Sequence, residues 1–220
     1  MNTITLYSFF NRGGNREFGR LTDETIVGLA DLGYIVLASQ YRGNDGGSGC
    51  EQFGGDDIND VIKLIDISEH FEFVQTGGVY MTGLSRGGMM TYIACRVDSR
   101  IKAATVGAAV SDSFSAYEAR DDMKTVYKSL VGGTPDNMPE EYVRRSAIMW
   151  ADEINVPLLI IHGGEKDWRV DTSQSKNMAA ELKRYGKEYR LIIYEDADHT
   201  FQGTQWYLDM CTWFNEHPLS

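Results

Sequence analysis

Val79-Tyr80-Met81-Thr82-Gly83-Leu84-Ser85-Arg86-Gly87-Gly88-Met89-Met90 is the stretch whose reading decides the fold. Val79 to Gly83 reads as a short strand, and Met89 to Arg96 as a helix that follows at once. Between them, Gly83-Leu84-Ser85-Arg86-Gly87 has the spacing G-x-S-x-G. That spacing occurs often by chance. A strand in front and a helix behind supply the context in which a serine sits on a sharp, strained turn with its hydroxyl lifted above the sheet. Glycines on either side let neighbouring chain approach without a clash. The following helix places its positive dipole end beside the serine, and the Arg86 N–H is free to donate to an oxyanion.

Outward from this turn, short apolar runs alternate with amphipathic segments. Strands are expected at Ile4 to Phe10, Tyr34 to Ser39, Ile101 to Val106, Pro157 to Ile161 and Arg190 to Tyr194. Helices are expected at Thr22 to Leu32, Asp56 to His70, Thr172 to Tyr185 and Thr204 to Asn215. The alternation predicts one α/β domain over residues 1–220, with a mainly parallel sheet of about six strands and helices on both faces. Residues 111–154 break the rhythm: they are polar, helical and punctuated by Gly132, Gly133, Pro135 and Pro139. A long insertion between two strands reads as a lid or binding segment, or as an ordinary pair of connecting helices.

A serine hydroxyl needs a base. After an elbow of this kind in the α/β-hydrolase fold, the partners follow in the order serine, acid, histidine. Four histidines are present, and His199 is the one that follows the strand after a candidate acid. The acid is expected in the loop His162-Gly163-Gly164-Glu165-Lys166-Asp167, with Asp167 preferred and Glu165 as the alternative. Its role is to accept the histidine Nδ1 proton and fix the tautomer. The second oxyanion donor is expected in Asn11-Arg12-Gly13-Gly14-Asn15, from the amides of Gly14 and Asn15; the same loop reads equally as a plain glycine turn. Arg12, Tyr41, Trp168 and Arg169 are candidates for lining the substrate pocket.

Several motifs in order resemble the catalytic domain of the prolyl oligopeptidase family. They are Tyr41-Arg42-Gly43, Phe53-Gly54-Gly55-Asp56-Asp57 with Asp60, Gly83-Leu84-Ser85-Arg86-Gly87-Gly88, and Pro157-Leu158-Leu159-Ile160-Ile161-His162-Gly163 with Asp167 and Arg169-Val170. The resemblance implies an α/β-hydrolase fold, a Ser85–His199–Asp167 triad and peptide substrates. Two departures temper the last point. The family's peptidases carry a β-propeller before this domain, and no such segment stands in these 220 residues. The family's oxyanion tyrosine falls near Arg12. Small carboxylic esters are therefore the first expectation, short peptides or aminoacyl amides the second, and a non-catalytic binding protein on a hydrolase scaffold the third. The first strands of the full fold are also expected to be missing, leaving a sheet edge open to pairing in a homodimer.

Bulk properties narrow the field. Twenty-one Lys and Arg against 32 Asp and Glu give a net charge of -11. Such a chain repels nucleic acid and anionic membranes. No apolar run is long enough to cross a bilayer, the N-terminus lacks a signal-peptide pattern, and the three cysteines fit neither a disulfide framework nor a zinc site. A cytoplasmic enzyme with free thiols, no metal and no cofactor is the expectation.

Overall fold

A computed structural model describes residues 6–16, 19, 23–71 and 77–219 of the chain. In chain order its strands are β1 (Leu6–Asn11), β2 (Tyr34–Ser39), β3 (Val79–Leu84), β4 (Ile101–Gly107), β5 (Leu158–Gly163) and β6 (Tyr189–Tyr194). They form one sheet in the order β2-β1-β3-β4-β5-β6, and every neighbouring pair is parallel. The expected parallel sheet is therefore present, with boundaries shifted by a residue or two. Ile4, Thr5 and Thr22, the leading residues of the expected first strand and helix, lie outside the described residues.

The strands bury both faces, as period-two alternation in a covered parallel sheet requires. Phe9, Met81, Ala104, Leu158 and Ile160 join one apolar cluster, while Phe10, Tyr80, Ala103, Leu159 and Ile161 join the other. The first cluster is covered by α2 (Ile58–Ser68), α3 (Arg86–Val97) and α7 (Ser173–Arg184), through residues such as Ile65, Met90 and Leu182. The second is covered by α1 (Asp23–Ala30) and α8 (Trp206–Glu216), through Leu29, Met210, Trp213 and Phe214. Tyr80 binds the two together, stacking on Phe214 at 4.3 Å and donating its hydroxyl to the Phe214 carbonyl.

The segment between β4 and β5 folds into α4 (Ser113–Ala119), α5 (Asp121–Leu130), α6 (Pro139–Arg144) and a 3-10 helix (Ala147–Glu153). Asp112 caps α4 by accepting from the N–H groups of Phe114 and Ser115. Most of this segment is built into the body of the protein. Trp150, Ala151 and Tyr142 lie in the main core, and Tyr127 stacks on Tyr142 and meets Phe53 edge-on. Arg145, fully buried, donates to the carbonyls of Phe53 and Gln52 and so ties the segment to the loop after β2.

Chain direction positions the site. β1 is followed by β2 on one side and, after α2, by β3 on the other. The connections therefore diverge at the carboxyl ends of β1 and β3, and a crevice opens there.

Candidate active site

Ser85 lies between β3 and α3 with φ 60° and ψ -122°, outside the regions a side chain ordinarily adopts. Holding such a residue costs about 1–3 kcal/mol, so the surroundings must enforce it. Its N–H donates to the Gly107 carbonyl at the end of β4, and its own carbonyl accepts from Gly88 and Met89. Gly87 is required here, because a methyl group at that position would overlap the carbonyl oxygen of Asn11. The elbow thus packs directly against the end of β1. Gly13 is pressed close as well: a Cβ there would lie 3.3 Å from Ser85 Cβ. This contact brings the glycine loop after β1 beside the serine.

Asp167 and His199 converge from the ends of β5 and β6. His199 Nδ1 lies 2.9 and 3.0 Å from the two carboxylate oxygens of Asp167. The carboxylate is itself anchored, with Oδ1 accepting the N–H groups of Arg169 and Val170. Burial pushes the Asp167 carboxyl up, but the hydrogen bonds from His199, Val170 and Arg169 outweigh it and hold the group below its usual range. An ionised Asp167 keeps the proton on Nδ1 and leaves Nε2 as the acceptor. Glu165, the alternative acid, is exposed and not bonded to His199. Asp198 serves its own loop by accepting from Thr200, and Asp196 pairs with Lys166 at the surface.

Ser85, Arg86, Gly13, Gly14, Asn15 and His199 all line one cavity of about 1020 Å³. Its apolar walls come from the insertion, through Ala116 and Met123, and from the segment after the histidine, through Phe201 and Trp206. Of the expected substrate residues, Arg12 and Arg169 line the cavity, whereas Tyr41 and Trp168 do not. The Arg12 side chain is buried and donates to the carbonyls of Gln40 and Arg16, which marks it as a loop clamp. Tyr41 is buried with the Arg86 guanidinium 4.4 Å from its ring centroid. Trp168 is 69% exposed, with Arg169 and Arg120 against its ring. Arg86 opens α3, so its N–H belongs to a first turn without intrahelical acceptors.

The Arg86 side chain is the feature that sequence reasoning missed. It is 1% exposed and paired with both Glu51 and Asp57. Gly54, Gly55 and Asp57 had marked this stretch as a motif without assigning it a task. His162 was also passed over. It is buried, with Nδ1 against the Gly163 carbonyl and Nε2 3.9 Å from Asp167 Oδ2. Burial lowers its pKa, so the folded chain keeps the ring neutral. Once unfolded, the ring titrates near ~6.5 and binds the extra proton. His162 therefore adds stability in full above about pH 6.5 and loses it as the pH falls. Calorimetric melting between about pH 7 and 5 is expected to show a falling Tm, with a shallower slope for His162→Asn.

Among the described residues, no helix is long and apolar enough to cross a membrane, and no His, Cys, Asp and Glu cluster is placed to hold a metal ion. The described cysteines are all free, and Cys95 is buried.

A strained serine elbow on a parallel sheet, with a histidine–aspartate pair at the neighbouring strand ends, defines an α/β-hydrolase. Comparison with known proteins agrees. The family model described as prolyl oligopeptidase family matches residues 21–218, and the chain belongs to that family. It is 33% identical over 191 residues to the uncharacterized peptidase YtmA of Bacillus subtilis, covering 86% of this chain and 74% of that one. Acylamino-acid-releasing enzyme 2 of Oryza sativa is 25% identical over 215 residues, which are 88% of this chain but 28% of the rice enzyme. Among solved structures, an acylaminoacyl peptidase of Pyrococcus horikoshii superposes with a TM-score of 0.85 at 23% identity, covering 98% of this chain and 37% of that one. A puromycin-hydrolyzing peptidase of Mycobacterium tuberculosis gives 0.78 at 27% identity, covering 89% and 31%. The chain therefore spans about three quarters of one relative and about a third of the larger ones. The expectation of esters ahead of peptides finds no support in these relatives, three of which are named as peptidases and none as an esterase.

Proposed function

We propose that the protein is a serine peptidase acting on short acyl-peptides or aminoacyl amides through an acyl-enzyme. Ser85 Oγ attacks the scissile carbonyl while His199 Nε2 takes its proton, and Asp167 steadies the imidazolium. The N–H groups of Arg86 and of Gly14 or Asn15 receive the oxyanion. His199 then passes the proton to the departing amine as the carbonyl–nitrogen bond breaks. Water, deprotonated by the same nitrogen, attacks the ester and frees the acid and Ser85.

The observation that carries this reading is that His199, paired with the buried Asp167, lines the same cavity as Ser85. The amide preference rests on the names of the relatives, and the size of the cavity favours a substrate larger than a small ester. About 1020 Å³ reaches the top of the range for ligand pockets, roughly 300–1,000 Å³, and exceeds what a small ester fills. Any enzyme that acylates from an amide also acylates from an activated ester, so ester cleavage is an accompanying activity.

The test is a matched panel of N-acyl-aminoacyl p-nitroanilides and p-nitrophenyl esters. The expected kcat/KM for the best anilide lies within about a hundredfold of its ester, or ~2.7 kcal/mol of barrier. Brisk ester turnover with no anilide cleavage would overturn the peptidase assignment.

A further inference from the structure

We propose that Glu51 is a positioning residue that holds the two halves of the oxyanion hole in register. This inference rests on the acyl-transfer reading of the site. Glu51 lies in the loop after β2, and its hydrogen bonds go to Arg16, Asn44 and Arg86 rather than to Ser85 or His199. Its side chain is 4% exposed, and each of its oxygens holds a different part of the site. Oε1 accepts from Arg86 Nη1. Oε2 accepts the Arg16 N–H at 2.7 Å and Asn44 Nδ2 at 2.9 Å. Arg86 is the residue whose N–H stands next to the nucleophile, and Arg16 ends the glycine loop that supplies the second donor. One carboxylate therefore spans both donors.

Further bonds tighten the same frame. The Arg86 guanidinium also donates to the Gly14 carbonyl at 3.3 Å, tying elbow to loop a second time. Gly14 and Arg16 both have positive φ, at 69° and 49°. Arg16 holds that conformation with its N–H on Glu51 and its carbonyl on Arg12 Nη2, 2.7 Å away. A non-glycine residue enters that region at a cost, and the two bonds at its ends supply the compensation. Released from Glu51 at Arg16, the Gly13–Asn15 segment loses one of the bonds that set which way its amides point, and keeps the weaker one from Arg86 to the Gly14 carbonyl. Oxyanion donors act by being aimed in advance at the charge that develops, so a small rotation matters more for turnover than for substrate binding.

Chemistry at Glu51 makes the idea testable. Every group on its oxygens is a donor: Arg86 Nη1, Arg16 N–H and Asn44 Nδ2. A glutamine in either orientation sets its NH₂ against one of them. Arg86 still keeps Asp57 as a partner, so Glu51→Gln does not strand a buried cation.

The experiment compares wild type with Glu51→Gln on an N-acyl-aminoacyl p-nitroanilide. It adds inhibition by a peptidyl trifluoromethyl ketone, which forms a tetrahedral oxyanion, and by the uncleaved product acid. Expected are a kcat lower by about ten- to a hundredfold, since losing a donor outright costs ~10²–10³. KM and product-acid affinity stay within about twofold. Ketone affinity weakens by the same factor as kcat. A purely structural Glu51 would lower Tm and leave kcat and ketone affinity unchanged, and that result overturns the proposal. Should Glu51→Gln fail to fold, Asn44→Ala decides: a smaller fall in kcat, matched in ketone affinity, supports the role, and unaltered kinetics refute it. Failure of the underlying reading looks different, because wild type itself would then neither cleave the anilide nor react with a fluorophosphonate.

Discussion

Ser85→Ala is expected to lower turnover by about a millionfold while the protein stays folded. Alanine keeps the Cβ, so the backbone bonds that hold the elbow are retained: Ser85 N–H to Gly107, and Gly88 and Met89 to the Ser85 carbonyl. Only the hydroxyl is lost, at a half-buried position beside the cavity. The change in stability is expected within about 0.5 kcal/mol, as for substitutions that disturb no packing. Activity and stability therefore separate in this variant. Fluorophosphonate labelling should vanish with turnover. Residual hydrolysis follows from oxyanion donors and binding alone, and adding His199→Ala to Ser85→Ala should cost little more, because the two residues act as a unit. Anilide cleavage retained at more than a few per cent, in enzyme freed of wild-type contamination, would remove Ser85 from the chemistry. A wild type that folds but never labels would point instead to a binding protein on this scaffold.

The sheet was legible in the sequence because each strand carries apolar residues on both faces. Pro157 to Ile161 and Val79 to Gly83 read as strands for that reason, and both are buried almost throughout. Helix ends were less legible. Met89 to Arg96 underestimated α3, which begins at Arg86 directly behind Ser85. Gly87 and Gly88 argue against a helix on propensity, and the close approach of Asn11 and Ala109 overrides it. The insertion hid its nature for another reason. Its tyrosines look like ordinary amphipathic spacing, yet Tyr117, Tyr127 and Tyr142 meet one another in the core. That convergence joins three separate short helices, so no single helical period displays it.

The site divides in the same way. The order of serine, acid and histidine along the chain pointed to Asp167 and His199, and the structure brings these two into contact. Residues chosen for their type alone fared differently. Tyr41 and Trp168 are aromatic and close in sequence to the motifs, but one is buried under Arg86 and the other stands outside the cavity. Glu51 carried no signal, since a lone glutamate among glycines reads as a solvated loop residue. Its burial depends on Arg86, Arg16 and Asn44 arriving from three parts of the chain.

Asp167→Asn is expected to cost about 10⁴ in kcat with KM little changed, the scale seen when the wrong histidine tautomer is enforced in other triads. The geometry dictates which way the amide turns. Oδ1 of Asp167 accepts two backbone N–H groups, from Arg169 and Val170, as well as His199 at 3.0 Å. An asparagine that kept its oxygen on those two amides would present its NH₂ where Oδ2 meets His199 Nδ1. A donor facing Nδ1 makes that nitrogen the acceptor and moves the proton to Nε2, the atom that takes the proton of Ser85 in the proposed mechanism. In wild type the carboxyl is held below its usual range, so its contribution to stability is present above about pH 3.9 and is lost as the pH falls through the folded value. Asp167→Asn removes that acid-side loss. Melting curves near pH 3–4, run beside steady-state kinetics at neutral pH, check both effects in one variant. Glu165→Gln is the control, since an exposed carboxylate with no bond to His199 should leave kcat within about twofold. Equal losses from the two substitutions would shift the orienting role away from Asp167.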